Sequence, residues 1–167
     1  MQLIVAVDKN WGIGKGNDLL FSLKEDMKFF RQTTLGKTVV MGYKTLMSFP
    51  NSKPLPKRKN IVLTSKTLPE QENLVVVNSL EQLFKVLKQE EQENVFIIGG
   101  AMFYKTMLDY CQKAYITKVD ADGNAEVFFE NLDKKDNWVL QQTSQKITDG
   151  DYTIEFCTYV NKAVKEF

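Results

Sequence analysis

The sequence predicts an α/β fold on a mixed sheet, with parallel strands joined by helical crossovers and an antiparallel hairpin at the C-terminal end. Two observations carry this expectation. Short β-branched runs at Leu3 to Val7, Thr38 to Met41, Asn60 to Thr64, Leu74 to Val77, Val95 to Ile98 and Ala114 to Val119 alternate with helical patterns. Near the end, Trp138 to Ile147 and Tyr152 to Val160 flank the turn-forming Asp149-Gly150-Asp151 with no helix between them.

In chain order, the opening MQLIVAVDKNWG has an apolar run of only five residues and no positive flank. It is expected as a buried strand rather than a signal or membrane segment. The loop from Asp8 to Leu20 carries Gly12, Gly14 and Gly16 at alternate positions. Such a loop permits close ligand approach, and it equally fits a plain connection. A helix is expected over Lys24 to Thr33, with Ser22 as cap and Glu25 three residues later, the capping-box pattern. Ser79 with Gln82 repeats that pattern. Tyr43 to Ser48, after Gly42, forms another helix, and Gly99-Gly100 opens the one that contains Lys105. No repeat or linker interrupts the 167 residues, which fit a single domain over 1–167.

Hydrophobic residues at 43% and charged residues at 26% match an ordinary globular chain. With 22 basic and 21 acidic residues the net charge is +1, which leaves no electrostatic footprint for nucleic acid. The basic cluster Lys53 to Lys59 could still hold a small anion. Cys111 and Cys157 have no metal-ligand spacing and point to a reduced, cytoplasmic setting without a bound metal. There is no histidine, which removes Ser-His and Cys-His nucleophilic sites and most catalytic zinc sites. Acid chemistry then falls to a carboxylate, Lys, Tyr, Cys or water.

In the helix after Ser22, Leu23, Met27 and Phe30 recur at i, i+4 and i+7, and Asp26 falls inside that apolar arc. A carboxylate facing a core is costly unless paired or neutralised, and desolvation raises its pKa, as suits an acid. The alternative is that Asp26 sits in the first turn only to complement the helix dipole. Both explanations stand on local grounds.

Six segments then occur in order: a strand ending Ala6-Val7-Asp8, Gly12-Ile13-Gly14, Asp26 with Phe29-Phe30, Val40-Met41-Gly42 with Thr45, Pro54-Leu55-Pro56 with Arg58-Lys59-Asn60, and Ile97-Ile98-Gly99-Gly100. Together they resemble the dihydrofolate reductase family over essentially the full length. The resemblance implies a three-layer fold with an eight-stranded mixed sheet and four flanking helices. It also implies a monomer, with NADPH and dihydrofolate meeting in a cleft and with no nucleic-acid or membrane partner.

The resemblance places the cofactor against Ala6, Ile13 and Gly14, against Gly42, Tyr43, Lys44 and Thr45, and against Leu63, Thr64, Ser65 and Lys66. It adds Ile98, Gly99, Gly100, Ala101, Met102, Phe103 and Tyr104. Gly42 and Gly99-Gly100 each precede a helix, so two helix N-termini can offer N–H groups to a pyrophosphate. Lys66 and Ser65 suit a 2′-phosphate, although the family often has arginine where Tyr43 and Met102 stand. Lys44 is a second candidate for that charge.

For the substrate, the resemblance implies Ile4, Val5, Asp26, Met27, Phe30, Phe49, Leu55, Arg58, Ile98 and Thr117. Arg58 would fork onto the α-carboxylate of the glutamate tail, while Met27, Phe30, Phe49 and Leu55 line the aminobenzoyl channel. Backbone carbonyls near Ile4 and Ile98 would face the pterin edge. Asp26, bridged to Thr117, would bind the 2-amino group and N3, with water carrying the proton to N5. By its residues alone, Thr117 is equally an ordinary strand residue.

Departures from the family pattern concentrate in Leu19-Leu20-Phe21-Ser22-Leu23-Lys24, where Leu-Pro-Trp-x-Leu-Pro is usual. Phe21 keeps aromatic bulk beside the nicotinamide but lacks the indole donor, and an unusual pH dependence is expected. Two missing prolines enlarge the unfolded ensemble of the loop. The loop Trp11 to Asn17 is expected to close over the nicotinamide, latched by Glu126, where the family usually has Gly-Asp for Ala125-Glu126. Competing readings are a pyrimidine reductase of flavin synthesis, a non-catalytic pterin- or nucleotide-binding protein, and a purely structural α/β domain.

Overall fold

The computed structural model describes residues 1–16 and 18–167. Asn17, the end of the loop expected to close, lies outside the described residues. The chain begins with β1 (Gln2–Val7), β2 (Gly12–Gly14), α1 (Lys24–Thr34), β3 (Thr38–Gly42) and α2 (Tyr43–Met47). It continues through β4 (Lys59–Leu63), β5 (Leu74–Val77), α3 (Leu80–Leu87), β6 (Val95–Gly99) and α4 (Ala101–Met107). It ends with β7 (Lys113–Val119), β8 (Val127–Phe128), β9 (Trp138–Thr143), β10 (Ile147–Asp149) and β11 (Tyr152–Asn161).

The main sheet runs β10-β11-β7-β1-β6-β3-β4-β5, with β9 also paired to β11. From β7 to β5 every neighbouring pair is parallel, and β11 lies antiparallel on β7. The run expected as one strand from Trp138 is divided into β9 and β10. Between them Ser144 keeps contact with β11: its N–H donates to the Phe156 carbonyl at 2.8 Å, and its Oγ accepts the Phe156 N–H at 2.8 Å. The two pieces form one interrupted edge strand, which gives the eight-stranded mixed sheet.

Period-2 alternation divides the core between two faces. Val40, Ile61 and Ile97 pack with Leu83 and Leu87 of α3 and with Phe103 and Met107 of α4. Val39, Met41 and Val62 point the other way, onto Leu46 of α2. Strands covered on both faces carry continuous apolar runs, and this is why β3, β4 and β6 were legible as short hydrophobic stretches. Leu23, at the start of α1, packs on Val119 and Ile154.

The N-terminus of α1 differs from expectation. Leu23, not Ser22, occupies the cap position, and no local side chain bonds the first turn. The carboxylate of Asp149, from the hairpin tip, accepts the N–H groups of Lys24 at 3.0 Å, Glu25 at 2.8 Å and Asp26 at 3.3 Å. An ionised acid accepts several amides more strongly than one hydroxyl can, so the distant acid displaces the local cap. In α3 the local signal holds, with Ser79 Oγ accepting the Gln82 N–H at 3.1 Å.

A small second sheet pairs β2 with β8 and fastens the glycine loop to the segment after β7. Where that loop leaves β1, Trp11 is buried against Phe129 and Tyr159, with ring centroids at 6.3 and 6.0 Å. No described helix is long and apolar enough to cross a membrane.

Candidate active site

Asp26 sits in the first turn of α1, facing the C-terminal half of β7. Thr117, buried in β7 beside Ala6 of β1, donates its hydroxyl to Asp26 Oδ1 at 2.6 Å. Burial pushes the Asp26 carboxyl above its ordinary range; the Thr117 hydrogen bond opposes this and the negative charge of Asp149 adds to it. Close by, the buried Tyr104 donates its hydroxyl to the Ile4 carbonyl at 2.7 Å. Burial, with a smaller contribution from the Asp26 charge, pushes the Tyr104 phenol up, so it remains a donor. The Asp26–Thr117 and Tyr104–Ile4 pairs therefore lie within electrostatic reach of each other across the parallel strands β1 and β7.

Phe21 lies half-buried, edge-on to Tyr152 at 4.8 Å. It also approaches Gly123 so closely that a Cβ there would stand 3.1 Å from the ring.

The inward face of α1 continues from Asp26 through Phe30 to Thr34, about 12 Å along the axis at 1.5 Å per residue. At its far end Thr34 Oγ1 donates to the Phe30 carbonyl at 2.8 Å and accepts from Arg58 Nε at 2.9 Å. The Arg58 guanidinium stands 6.0 Å from the Phe30 ring centroid and donates from Nη1 to the Pro56 carbonyl at 2.9 Å. Its Nη2 has no protein partner among the described residues. Asn60, fully buried, ties this loop together by bonding the N–H and carbonyl of Leu55 and the carbonyl of Arg58. Phe49, Leu55 and Ile98 are half-buried around the Met41 and Leu46 cluster. Met27, read as part of the core-facing arc, is 63% exposed. An apolar helix stripe marks a ligand cleft as readily as a core, and periodicity does not separate the two. Val5 is half-buried against the main core.

The two glycine turns lie side by side. A Cβ on Gly42 would be 4.0 Å from the Gly100 nitrogen, and one on Gly99 would be 3.1 Å from Thr45 Oγ1. Gly99 has φ 138°, a conformation that side-chain-bearing residues rarely adopt. Neither α2 nor α4 has a side-chain cap among the described residues, which leaves first-turn amides without a side-chain acceptor. At the start of α2, Lys66 Nζ sits over the Tyr43 ring at 5.1 Å. Thr64 is buried, and its Oγ1 accepts the Lys66 N–H at 3.1 Å. Ser65, Lys44 and Met102 are exposed, Leu63, Ala6 and Ala101 are half-buried, and Phe103 is buried in the core. On the loop, Ile13 and Gly14 are half-buried; the Gly14 carbonyl accepts the Glu126 N–H at 2.9 Å, and Glu126 Oε1 accepts the Gly16 N–H at 2.8 Å.

Comparison with known proteins bears directly on this arrangement. The family profile described as dihydrofolate reductase matches residues 1–161. The chain belongs to the dihydrofolate reductase family. The dihydrofolate reductase of Bacillus subtilis (strain 168) is 35% identical over 164 residues, covering 97% of this chain and 95% of its own. That of Drosophila melanogaster is 40% identical over 141 residues, covering 76% and 77%. Among solved structures, dihydrofolate reductase from Enterococcus faecalis complexed with NADP(H) and RAB-propyl superposes with a TM-score of 0.83 at 29% identity, covering 96% of this chain and 95% of that one. The assignment favours the reductase over each competing reading of the sequence.

Within the dihydrofolate reductase fold, two acids stand out that linear reasoning missed. Asp149 appears in sequence only as part of a turn signal, and nothing local says that it reaches α1. Asp8, buried at the end of β1, accepts the N–H groups of Asn10 at 2.8 Å, Gly12 at 2.7 Å and Gly123 at 3.0 Å. An acid directly after an apolar strand and before glycines was a usable signal for the second.

Proposed function

We infer that the chain reduces 7,8-dihydrofolate to 5,6,7,8-tetrahydrofolate with NADPH. The observation that carries this reading is the half-buried Asp26, bonded to the buried Thr117, on a helix face that ends at Arg58. One face thus offers a carboxylate for a cyclic amidine-like edge, an aromatic middle at Phe30 and a guanidinium for a terminal carboxylate. Asp26 Oδ2 is suited to accept hydrogen bonds from N3 and the 2-amino group of the pterin, while Thr117 holds Oδ1. Accepting from that edge keeps the ring in one orientation and makes N5 more basic; Asp26 promotes protonation there by a water rather than by direct contact. Phe30, Phe49 and Leu55 would hold the aminobenzoyl portion, and Arg58 Nη2 the α-carboxylate.

A dinucleotide fits the residues opposite. The paired glycine turns let backbone amides of α2 and α4 approach a pyrophosphate, as the NADP(H)-bound relative supports. Lys66, steadied over Tyr43, supplies charge for a 2′-phosphate, with Ser65 and Thr64 beside it. When bound, NADPH supplies the hydride taken by C6 as the N5–C6 double bond is reduced. The segment around Ile13 and Gly14, latched through Glu126, excludes water from that face. The chain is further proposed to act as one domain over 1–167 and as a monomer in the cytoplasm; its two buried free thiols support the reducing compartment.

Mixing the protein with NADPH and dihydrofolate and following NADPH loss tests the assignment. Oxidation that depends on dihydrofolate is expected, and its absence at every pH would defeat the reading. Asp26→Asn should lower turnover roughly 10²- to 10⁴-fold near neutral pH, as for loss of a positioned acid, with partial recovery toward acid.

A further inference from the structure

We propose that Asp149 is a positioning residue for the Asp26 acid: through its carboxylate the C-terminal hairpin holds the first turn of α1 in the orientation that presents Asp26 to the substrate. The proposal rests on the reading of Asp26 given above. Asp149 Oδ1 takes the Lys24 N–H, and Oδ2 takes those of Glu25 and Asp26. The next amide, that of Met27, closes the first intrahelical bond to the Leu23 carbonyl at 2.9 Å. Every unpaired amide of the opening turn therefore rests on one acid that is 123 to 125 residues away in sequence.

Two features make this more than a surface cap. Asp149 is buried, so its bonds are not weakened by water as an exposed cap's would be. The hairpin also grips the other side of the same segment, because Tyr152 packs on Phe21 and Ile154 on Leu23. Lys24 stands where the family pattern has proline, and only a non-proline residue has the N–H that Asp149 Oδ1 accepts. In this chain the helix start is held by a bond from a distant strand and not by a proline ring.

The second consequence is electrostatic. The amides of a helix N-terminus favour a nearby carboxylate's charged form. A carboxylate already seated on those amides cancels that help and adds repulsion, which keeps Asp26 readier to hold a proton. The other groups facing Asp26 are the Thr117 hydroxyl from β7 and the Tyr104 phenol from α4; Lys24 and Glu25 of its own turn are exposed. Thr117 favours the charged form, and Asp149 is the facing charge that opposes it.

Asp149→Asn keeps the size and one acceptor oxygen but removes the charge, and Lys24→Pro removes one donor at a helix position that tolerates proline. Asp149→Asn is expected to lower kcat about ten- to a hundredfold, as small misplacements of reacting groups do, with the KM for NADPH unchanged. Its pH–rate profile should move toward acid, and Lys24→Pro should shift kcat in the same direction by less. The carboxyl carbon resonance of Asp26, followed by NMR across pH in wild type and Asp149→Asn, reads the charge effect without any turnover. A titration displaced to lower pH in the variant supports the proposal even if the chain proves inactive on dihydrofolate. An unmoved Asp26 titration together with an unmoved pH–rate profile, accompanied only by a lower melting temperature, would overturn it and leave Asp149 a structural cap. Asp149→Ser, which keeps a neutral cap, should reproduce the Asp149→Asn profile if charge is what matters; a wild-type profile in that variant also counts against the proposal.

Discussion

The carboxylate of Asp8 gathers N–H groups from both the glycine loop and the segment after β7, so two mobile-looking connections share one buried acid. Gly12 sits directly on this junction. A Cβ there would collide with the methyl of Ala125 and lie 2.9 Å from Asp8 Oδ2. The family usually has glycine where this chain has Ala125, so the methyl that crowds Gly12 is one this chain adds. Gly12→Ala is expected to destabilise by about 1–3 kcal/mol through overpacking. Ala125→Gly in the same chain should recover most of that loss, because it reopens the space. Thermal denaturation of both single variants and the double variant checks this, and simply additive effects would show that the two positions do not share space. Asp26 was legible as an acid on an inward face because Leu23 and Phe30 bracket it at helical spacing. That Met27 lies in the open was not legible, since sequence period reports a face and not what covers it.

Among the elements, the parallel strands were the most legible because burial on both sides demands continuous apolar runs. The β2–β8 pair was not, since two or three residues carry no period. The start of α1 was misread because a capping box is a local pattern, and the acid that caps this helix is brought by the sheet. The turn between β4 and β5 gives the element-scale prediction. Lys66 leaves β4 and rests over the Tyr43 ring at the start of α2, so two elements jointly present one ammonium. Tyr43 occupies a position where the family often uses arginine, and here it serves as a platform instead of a donor. Lys66→Ala should raise the KM for NADPH roughly ten- to a hundredfold, the value of one charge-assisted hydrogen bond, while leaving NADH nearly unaffected. Steady-state kinetics with both dinucleotides measures it. Equal losses with NADPH and NADH would mean that Lys66 does not recognise the 2′-phosphate.

At the scale of the whole molecule, the cost of keeping an acid inside the fold becomes a statement about stability. The general plan was legible: parallel crossovers followed by a terminal hairpin place the C-terminal strand ends, and with them Thr117, opposite the helix that carries Asp26. The energetic tension at that meeting was legible only in outline, because it depends on Asp149 arriving from the hairpin. Burial, with the Asp149 charge, raises the folded-state pKa of Asp26 above its unfolded value. The native chain then binds a proton that the unfolded chain has already released. The stability that this contributes is complete below the unfolded carboxylate range, about pH 4, and is lost as pH rises through the folded pKa. Asn at position 26 cannot ionise and suffers no such loss. Asp26→Asn should therefore melt a few degrees above wild type at neutral and mildly alkaline pH, where about 1 kcal/mol corresponds to 2–4 °C in a chain of this size. The two melting curves should converge as pH falls below about 4, where both side chains are neutral. Calorimetry across that range decides it. A variant that melts below wild type at alkaline pH would mean that the ionised Asp26 is held by more favourable contacts than Thr117 alone supplies, and that the site carries no stability cost for its acid.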